Sequence, residues 1–114
     1  MNRVEILFKN ENLKRDCTED RWMRRAWGSN RSQVLRRRLD QLRASDSLEQ
    51  MKLVHRRCHE LKGDRAGQVS LDLDGGYRLL LESAADPPPR KPDGGLDWSR
   101  VTAVRIIAVE DTHA

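Results

Sequence analysis

The chain has 114 residues and a mass of 13.2 kDa, enough for one domain spanning residues 1–114. Its 22 Lys and Arg against 18 Asp and Glu give a formal charge of +4, with 37% hydrophobic and 35% charged residues. No apolar stretch approaches the roughly 20 residues of a membrane span, and two cysteines are too few for a disulfide scaffold or a zinc ribbon. We therefore expect a cytoplasmic protein with no membrane partner, no leader peptide and reduced thiols.

The N-terminal half predicts one strand followed by a helical hairpin. Residues 3–8 are rich in Val, Ile, Leu and Phe, which is typical of a strand. Thr18 is the expected N-cap of a first helix with Trp22, Met23, Ala26 and Trp27 on one face, and residues 28–30 break it. A second helix carries Val34, Leu35, Leu39 and Leu42 on an apolar stripe. Residues 45–47 are then expected to cap a short helical turn through Leu48 and Met51.

The C-terminal half predicts strands. Val69, Leu71 and Leu73 alternate with polar residues, Asp74-Gly75-Gly76 predicts a tight turn, and residues 77–81 predict the return strand. Proline and glycine keep residues 84–97 in a long loop, and Val101–Val109 predicts a strand buried on both faces. The order indicates an α+β fold, a small antiparallel sheet with the helical hairpin on one face.

The positive charge lies mostly in the first half of the chain. Residues 1–60 hold 15 of the 22 Lys and Arg but only 9 of the 18 acids, with arginine clusters at 21–25 and 36–38. Such clusters suit a polyanion or an acidic protein, although each single arginine fits a solvated helix face equally well.

Residues 58–68 and the chain end hold the candidate catalytic groups. His59, Lys62 and Arg65 precede the hairpin, and Asp111 and His113 follow the last strand. Two histidines, an aspartate and nearby cations are what a metal-free ribonuclease needs for proton transfer and phosphate charge. We expect no metal and no cofactor, because the histidines lack a typical metal-ligand spacing.

The string His59-Glu60-Leu61-Lys62-Gly63-Asp64-Arg65, the Tyr77-Arg78-Leu79 strand and the terminal Glu110-Asp111-Thr112-His113 resemble the HigB-type toxins of the RelE/ParE superfamily. The loop followed by residues 94–106 resembles a subgroup of these toxins with a longer hairpin. The resemblance covers residues 56 to 114 in sequence and the earlier part only in architecture. It implies a RelE/ParE-like fold.

The resemblance also implies a function, which is cleavage of mRNA on the ribosome by a toxin that a cognate antitoxin silences. The antitoxin would carry a helix-turn-helix domain and form a heterotetramer or larger complex with the toxin. The catalytic residues implied are His59, Asp111 and His113; Lys62, Arg65, Arg78 and Thr112 would contact RNA or its phosphates. For Arg78, an ion pair with an acid on a neighbouring strand is an equal alternative.

Thr112 stands where these toxins usually have tyrosine. Its hydroxyl is shorter and less acidic and does not stack on a base. Two non-nuclease alternatives therefore stay open: a gyrase inhibitor on the same fold, and a weakened toxin that mainly binds antitoxin and co-represses its operator.

Overall fold

The computed structural model describes residues 3–112, which form a mixed α+β domain. The strands are β1 (Glu5–Phe8), β2 (Cys58–Glu60), β3 (Gln68–Asp72), β4 (Tyr77–Ser83) and β5 (Ala103–Asp111). The helices are α1 (Glu11–Thr18), α2 (Asp20–Trp27), α3 (Ser29–Ala44) and α4 (Met51–Val54). Single 3₁₀ turns occur at Leu48–Gln50, Gly63–Arg65 and Trp98–Arg100.

The five strands form one sheet in the order β1-β5-β4-β3-β2. The pairs β2–β3, β3–β4 and β4–β5 are antiparallel, whereas β1 runs parallel to β5. The expected purely antiparallel sheet is therefore wrong at this edge. The helices that follow β1 carry the chain across the sheet, so β1 pairs with the last strand instead of the next one.

The helices cover one face of the sheet, as expected. Leu35, Leu39 and Leu42 of α3 belong to the same buried cluster as Leu71 and Leu79 of the sheet. None of the helices within residues 3–112 lies on the opposite face; we call it the open face, and it is defined by His59, Ser70, Arg78 and Glu110.

The helical layer has three N-terminal helices where the sequence predicted a hairpin of two. The additional helix α1 has Asn10 as its N-cap, whose side chain accepts a hydrogen bond from the Leu13 amide at 2.8 Å. Thr18 is the last residue of α1 and its hydroxyl donates to the Lys14 carbonyl, so Thr18 is not an N-cap. Glu19 occupies that position before α2, without a side-chain cap.

The short turn after α3 is confirmed, with Leu48 and Met51 both buried. The capping predicted for it is not, because Ser47 makes no side-chain cap bond and the Ser45 hydroxyl donates to the Gln41 carbonyl.

The predicted hairpin is confirmed, and Gly75 and Gly76 both have positive φ angles, 60° and 78°. Residues 84–97 contain no helix or strand beyond an isolated bridge between Arg90 and Leu96. The last strand is not buried on both faces: Val104 and Ile106 are buried, but the residues between and beside them are only partly covered. The partly covered residues lie on the open face.

Candidate active site

The open face brings together residues from four strands through the register of the sheet. His59 lies opposite Ser70, Ser70 opposite Leu80, and Arg78 opposite Glu110. Because side chains alternate between the two faces of a strand, these residues share one face, while their neighbours Cys58, Leu71 and Leu79 enter the core.

A pocket of about 430 Å³ lies at one end of this face. It holds three of the residues predicted for the site: His59, Arg78 and Thr112. The rest of its lining comes from the strands and the hairpin turn: Arg57, Ser70, Asp72, Leu73, Gly76 and Tyr77. We call it the site pocket.

Arg65, from the 3₁₀ turn after β2, reaches the same region by an ion pair. The Glu110 Oε1 atom accepts a hydrogen bond from Arg65 Nη1 at 2.6 Å. It also accepts from Arg78 Nη2 at 2.6 Å and from Arg78 Nε at 3.0 Å. One carboxylate oxygen therefore binds two guanidinium groups from residues that are 13 positions apart in sequence. We call Arg65 and Arg78 the arginine pair.

The electrostatics of this cluster favour the charged forms of Glu110 and Arg65. The hydrogen bond from Arg65 has the largest effect on the pKa of the Glu110 carboxyl and lowers it. Burial opposes this, and the hydrogen bond from Arg78 adds to the lowering, so the pKa lies below its ordinary value. The hydrogen bond to Glu110 likewise raises the pKa of Arg65.

A second ion pair lies at the rim of the site pocket. Arg57 Nε is 2.6 Å from Asp72 Oδ2, and the Arg57 side chain is 79% exposed. Solvent screens such a pair, so the Arg57 guanidinium is readily available to an anionic ligand. Sequence reasoning missed Arg57, although its position two residues before His59 is a signal in itself, because alternate side chains along an extended chain share one face.

Three other predicted residues are not seen in the site pocket. Lys62 is exposed at the start of the 3₁₀ turn. Asp111 pairs in register with Tyr77, so strand alternation directs it to the face opposite Glu110. His113 lies outside the described residues. Of the two predicted catalytic residues within 3–112, His59 lines the pocket and Asp111 does not.

Thr112 lines the site pocket but its polar groups are engaged by the hairpin turn. Its amide donates to the Gly76 carbonyl at 2.9 Å, and its hydroxyl donates to the same oxygen. The threonine therefore fastens the end of β5 to the turn between β3 and β4.

Ser70 and Glu110 are the residues of the open face whose importance sequence reasoning missed. Ser70 is fully buried and its Oγ atom has no hydrogen-bond partner among residues 3–112, although it lies beside His59. The sequence also allowed an ion pair between Arg78 and an acid on a neighbouring strand, and the structure confirms it; that this acid is Glu110 follows only from the register of β4 and β5.

The arrangement can serve proton transfer beside a bound anion. His59 is exposed, and its imidazole makes no hydrogen bond to any residue from 3 to 112, so both ring nitrogens are available to a ligand. The arginine pair supplies donors for phosphate oxygens. Within the described part of the chain, no three His, Cys, Asp or Glu side chains lie together as a metal site, and no helix is long and apolar enough to cross a membrane.

Comparison with models of protein families gives no match to this chain, and neither does comparison with curated proteins. The geometry of the site and the sequence resemblance therefore carry the functional argument.

Proposed function

We propose that this chain is a HigB-like toxin of the RelE/ParE superfamily, a ribosome-dependent endoribonuclease that acts on mRNA in the cytoplasm and is silenced by a cognate antitoxin. The observation that carries the proposal is the presence of exposed His59 and the Arg78 guanidinium in one pocket, with Arg65 joined to Arg78 through Glu110.

The proposed reaction needs no metal ion. A base removes the proton from a ribose 2′-OH, and the 2′-oxygen attacks the adjacent phosphorus atom. The bond to the 5′-oxygen breaks, an acid protonates that oxygen, and a 2′,3′-cyclic phosphate remains. His59 is one of the two proton-transfer groups and His113 is the other; Asp111, on the opposite face of its strand from Glu110, takes no direct part. The arginine pair stabilises the charge that develops on the phosphate.

The test is induced expression in bacteria with mapping of new 5′ ends on a reporter mRNA. We expect cuts in frame with translation from the natural sequence, and a loss of about 100-fold or more in cutting for His59→Gln and His113→Gln. His55→Gln is the matched control, because His55 lies outside the site pocket, and circular dichroism verifies that each variant folds. Undiminished cutting by both site variants would overturn the catalytic assignment.

A second candidate function is supported by Thr112. The Thr112 hydroxyl donates a hydrogen bond to the Gly76 carbonyl, and the side chain has no aromatic ring. The position therefore gives no stacking surface for a nucleotide base. This favours a toxin-fold protein that binds antitoxin without cutting RNA. Growth arrest with a DNA-damage response and no RNA cuts would instead indicate a gyrase inhibitor.

A further inference from the structure

Glu110 places a negative charge inside the group of cations proposed to hold phosphate. Its Oε1 atom takes three hydrogen bonds, one from Arg65 and two from Arg78. The cluster therefore has two positive charges and one negative charge, a net charge of +1.

The contact to Glu110 does not use all the donors of the arginine pair. Arg78 Nη1 and the Nε and Nη2 atoms of Arg65 make no hydrogen bond to a residue between 3 and 112. Arg78 also lines the site pocket, and its side chain is 22% exposed. An anion in the pocket can thus bind the arginine pair while Glu110 stays in place.

Such an anion would lie a short distance from the Glu110 carboxylate, since both contact the same guanidinium group. The two negative charges repel each other well within the screening length of about 10 Å at ordinary salt. Coulomb repulsion is proportional to the charge of the ligand, so a dianion suffers twice the free-energy penalty of a monoanion.

Phosphate esters differ in this respect. A phosphodiester inside a nucleic-acid strand carries one negative charge, whereas a monoester above its second pKa of about 6 carries nearly two. Glu110 therefore lowers the attraction of the arginine pair for a monoester dianion by twice as much as its attraction for a diester.

We propose that Glu110 is a specificity-determining residue that matches the arginine pair to a singly charged phosphodiester and disfavours phosphate monoesters such as free nucleotides and 5′-phosphorylated ends. The inference rests on the phosphate-binding role proposed for this site. It explains why an acid stands between two arginines that are expected to bind an anion.

The test compares two probes by NMR titration of the isotope-labelled protein at pH 7.5. Thymidylyl-(3′→5′)-thymidine supplies one diester charge and no cleavable 2′-OH, and thymidine 5′-monophosphate supplies a dianionic monoester. We expect Glu110→Gln to lower the Kd of the dinucleoside about fivefold and that of the monoester about 25-fold, the square of that factor, after allowing for solvent screening. The amide keeps an oxygen that accepts from the arginines, so the substitution mainly removes charge.

Glu82→Gln is the matched control. Glu82 lies on β4, on the open face as Glu110 does, and accepts a hydrogen bond from Arg105 at 2.9 Å, but it does not line the site pocket. We expect it to leave both Kd values unchanged.

Arg78→Gln separates the two hypotheses. If it does not weaken either probe, the phosphate site itself is wrong. If it weakens both probes but Glu110→Gln changes the two Kd values by the same factor, or weakens both, then Glu110 only holds the arginines and the charge-selection inference is wrong.

Discussion

Ser70 carries a hydroxyl group that neither solvent nor another described residue satisfies. Its side chain is 0% exposed, and its Oγ atom has no hydrogen-bond partner in residues 3–112. A buried hydroxyl without a partner costs about 1–3 kcal/mol by mutational measures. Such a cost within the proposed active site fits the general tendency of sites to retain unfavourable groups that a ligand relieves.

Ser70→Ala removes the unsatisfied group, so we expect the free energy of unfolding to rise by about 1 kcal/mol, measured by urea denaturation. Ser83→Ala is the control, because the Ser83 hydroxyl accepts a hydrogen bond from the Ala85 amide at 3.2 Å. That variant should lose about 1 kcal/mol. A loss of stability in Ser70→Ala equal to that in Ser83→Ala would contradict the prediction.

At this scale the sequence predicts residue types better than it predicts their neighbours. The local string from His59 to Arg65 is sufficient to mark a candidate site segment. Glu110 contacts both Arg65 and Arg78. Its contact with Arg78, which lies 32 residues earlier in the chain, depends on how β4 and β5 align. No local pattern carries that information, which is why Glu110 had no predicted role.

Among the elements, the sequence predicts those with a strong apolar period. The stripe of α3 and the alternation of β3 give correct assignments, whereas α1 has only Leu13 and Cys17 as apolar residues over its 8 positions. The N-cap at Asn10 was its one local signal. The parallel pairing of β1 with β5 joins the two ends of the chain, so tertiary packing alone determines it.

Glu60 connects β2 to the end of the long loop. Its Oε1 atom accepts from the Trp98 indole Nε1 at 3.3 Å, and its Oε2 atom accepts from the Leu96 amide at 3.4 Å. Both Leu96 and Trp98 are buried, so this carboxylate holds the loop where its apolar residues join the core.

Glu60→Ala leaves the two donors without their acceptor, and we expect the free energy of unfolding to fall by about 1–2 kcal/mol. We also expect faster trypsin cleavage after exposed Arg90 in this loop, monitored by mass spectrometry under native conditions. Glu49→Ala is the control. Glu49 lines the same surface pocket as Glu60, but it is exposed and accepts no hydrogen bond from Leu96 or Trp98. Equal cleavage rates in the two variants would show that Glu60 does not hold the loop.

At the scale of the whole molecule, two cysteines from opposite halves of the chain lie in a single core. Cys17 of α1 is 1% exposed and Cys58 of β2 is 6% exposed, both as free thiols in one buried cluster. Burial raises the pKa of Cys17 to about 12, with a smaller contribution from Asp16. Burial also raises the pKa of Cys58 to about 12, against the opposing charges of Lys52 and Arg38.

These shifts predict a loss of stability in alkaline solution. Below about pH 9 both thiols are protonated in the folded and the unfolded chain, so their burial contributes fully to the free energy of unfolding. As the pH rises from about 9 towards 12, the unfolded thiols ionise while the folded ones stay protonated. The free energy of unfolding should then fall by up to about 1.4 kcal/mol per pH unit for each thiol. Urea denaturation from pH 8 to 10.5 measures this slope, and the Cys17→Ala/Cys58→Ala double variant corrects for lysine and tyrosine titration. We expect a shallower slope in the variant, and parallel slopes would mean that the thiols ionise as readily in the folded core as in the unfolded chain.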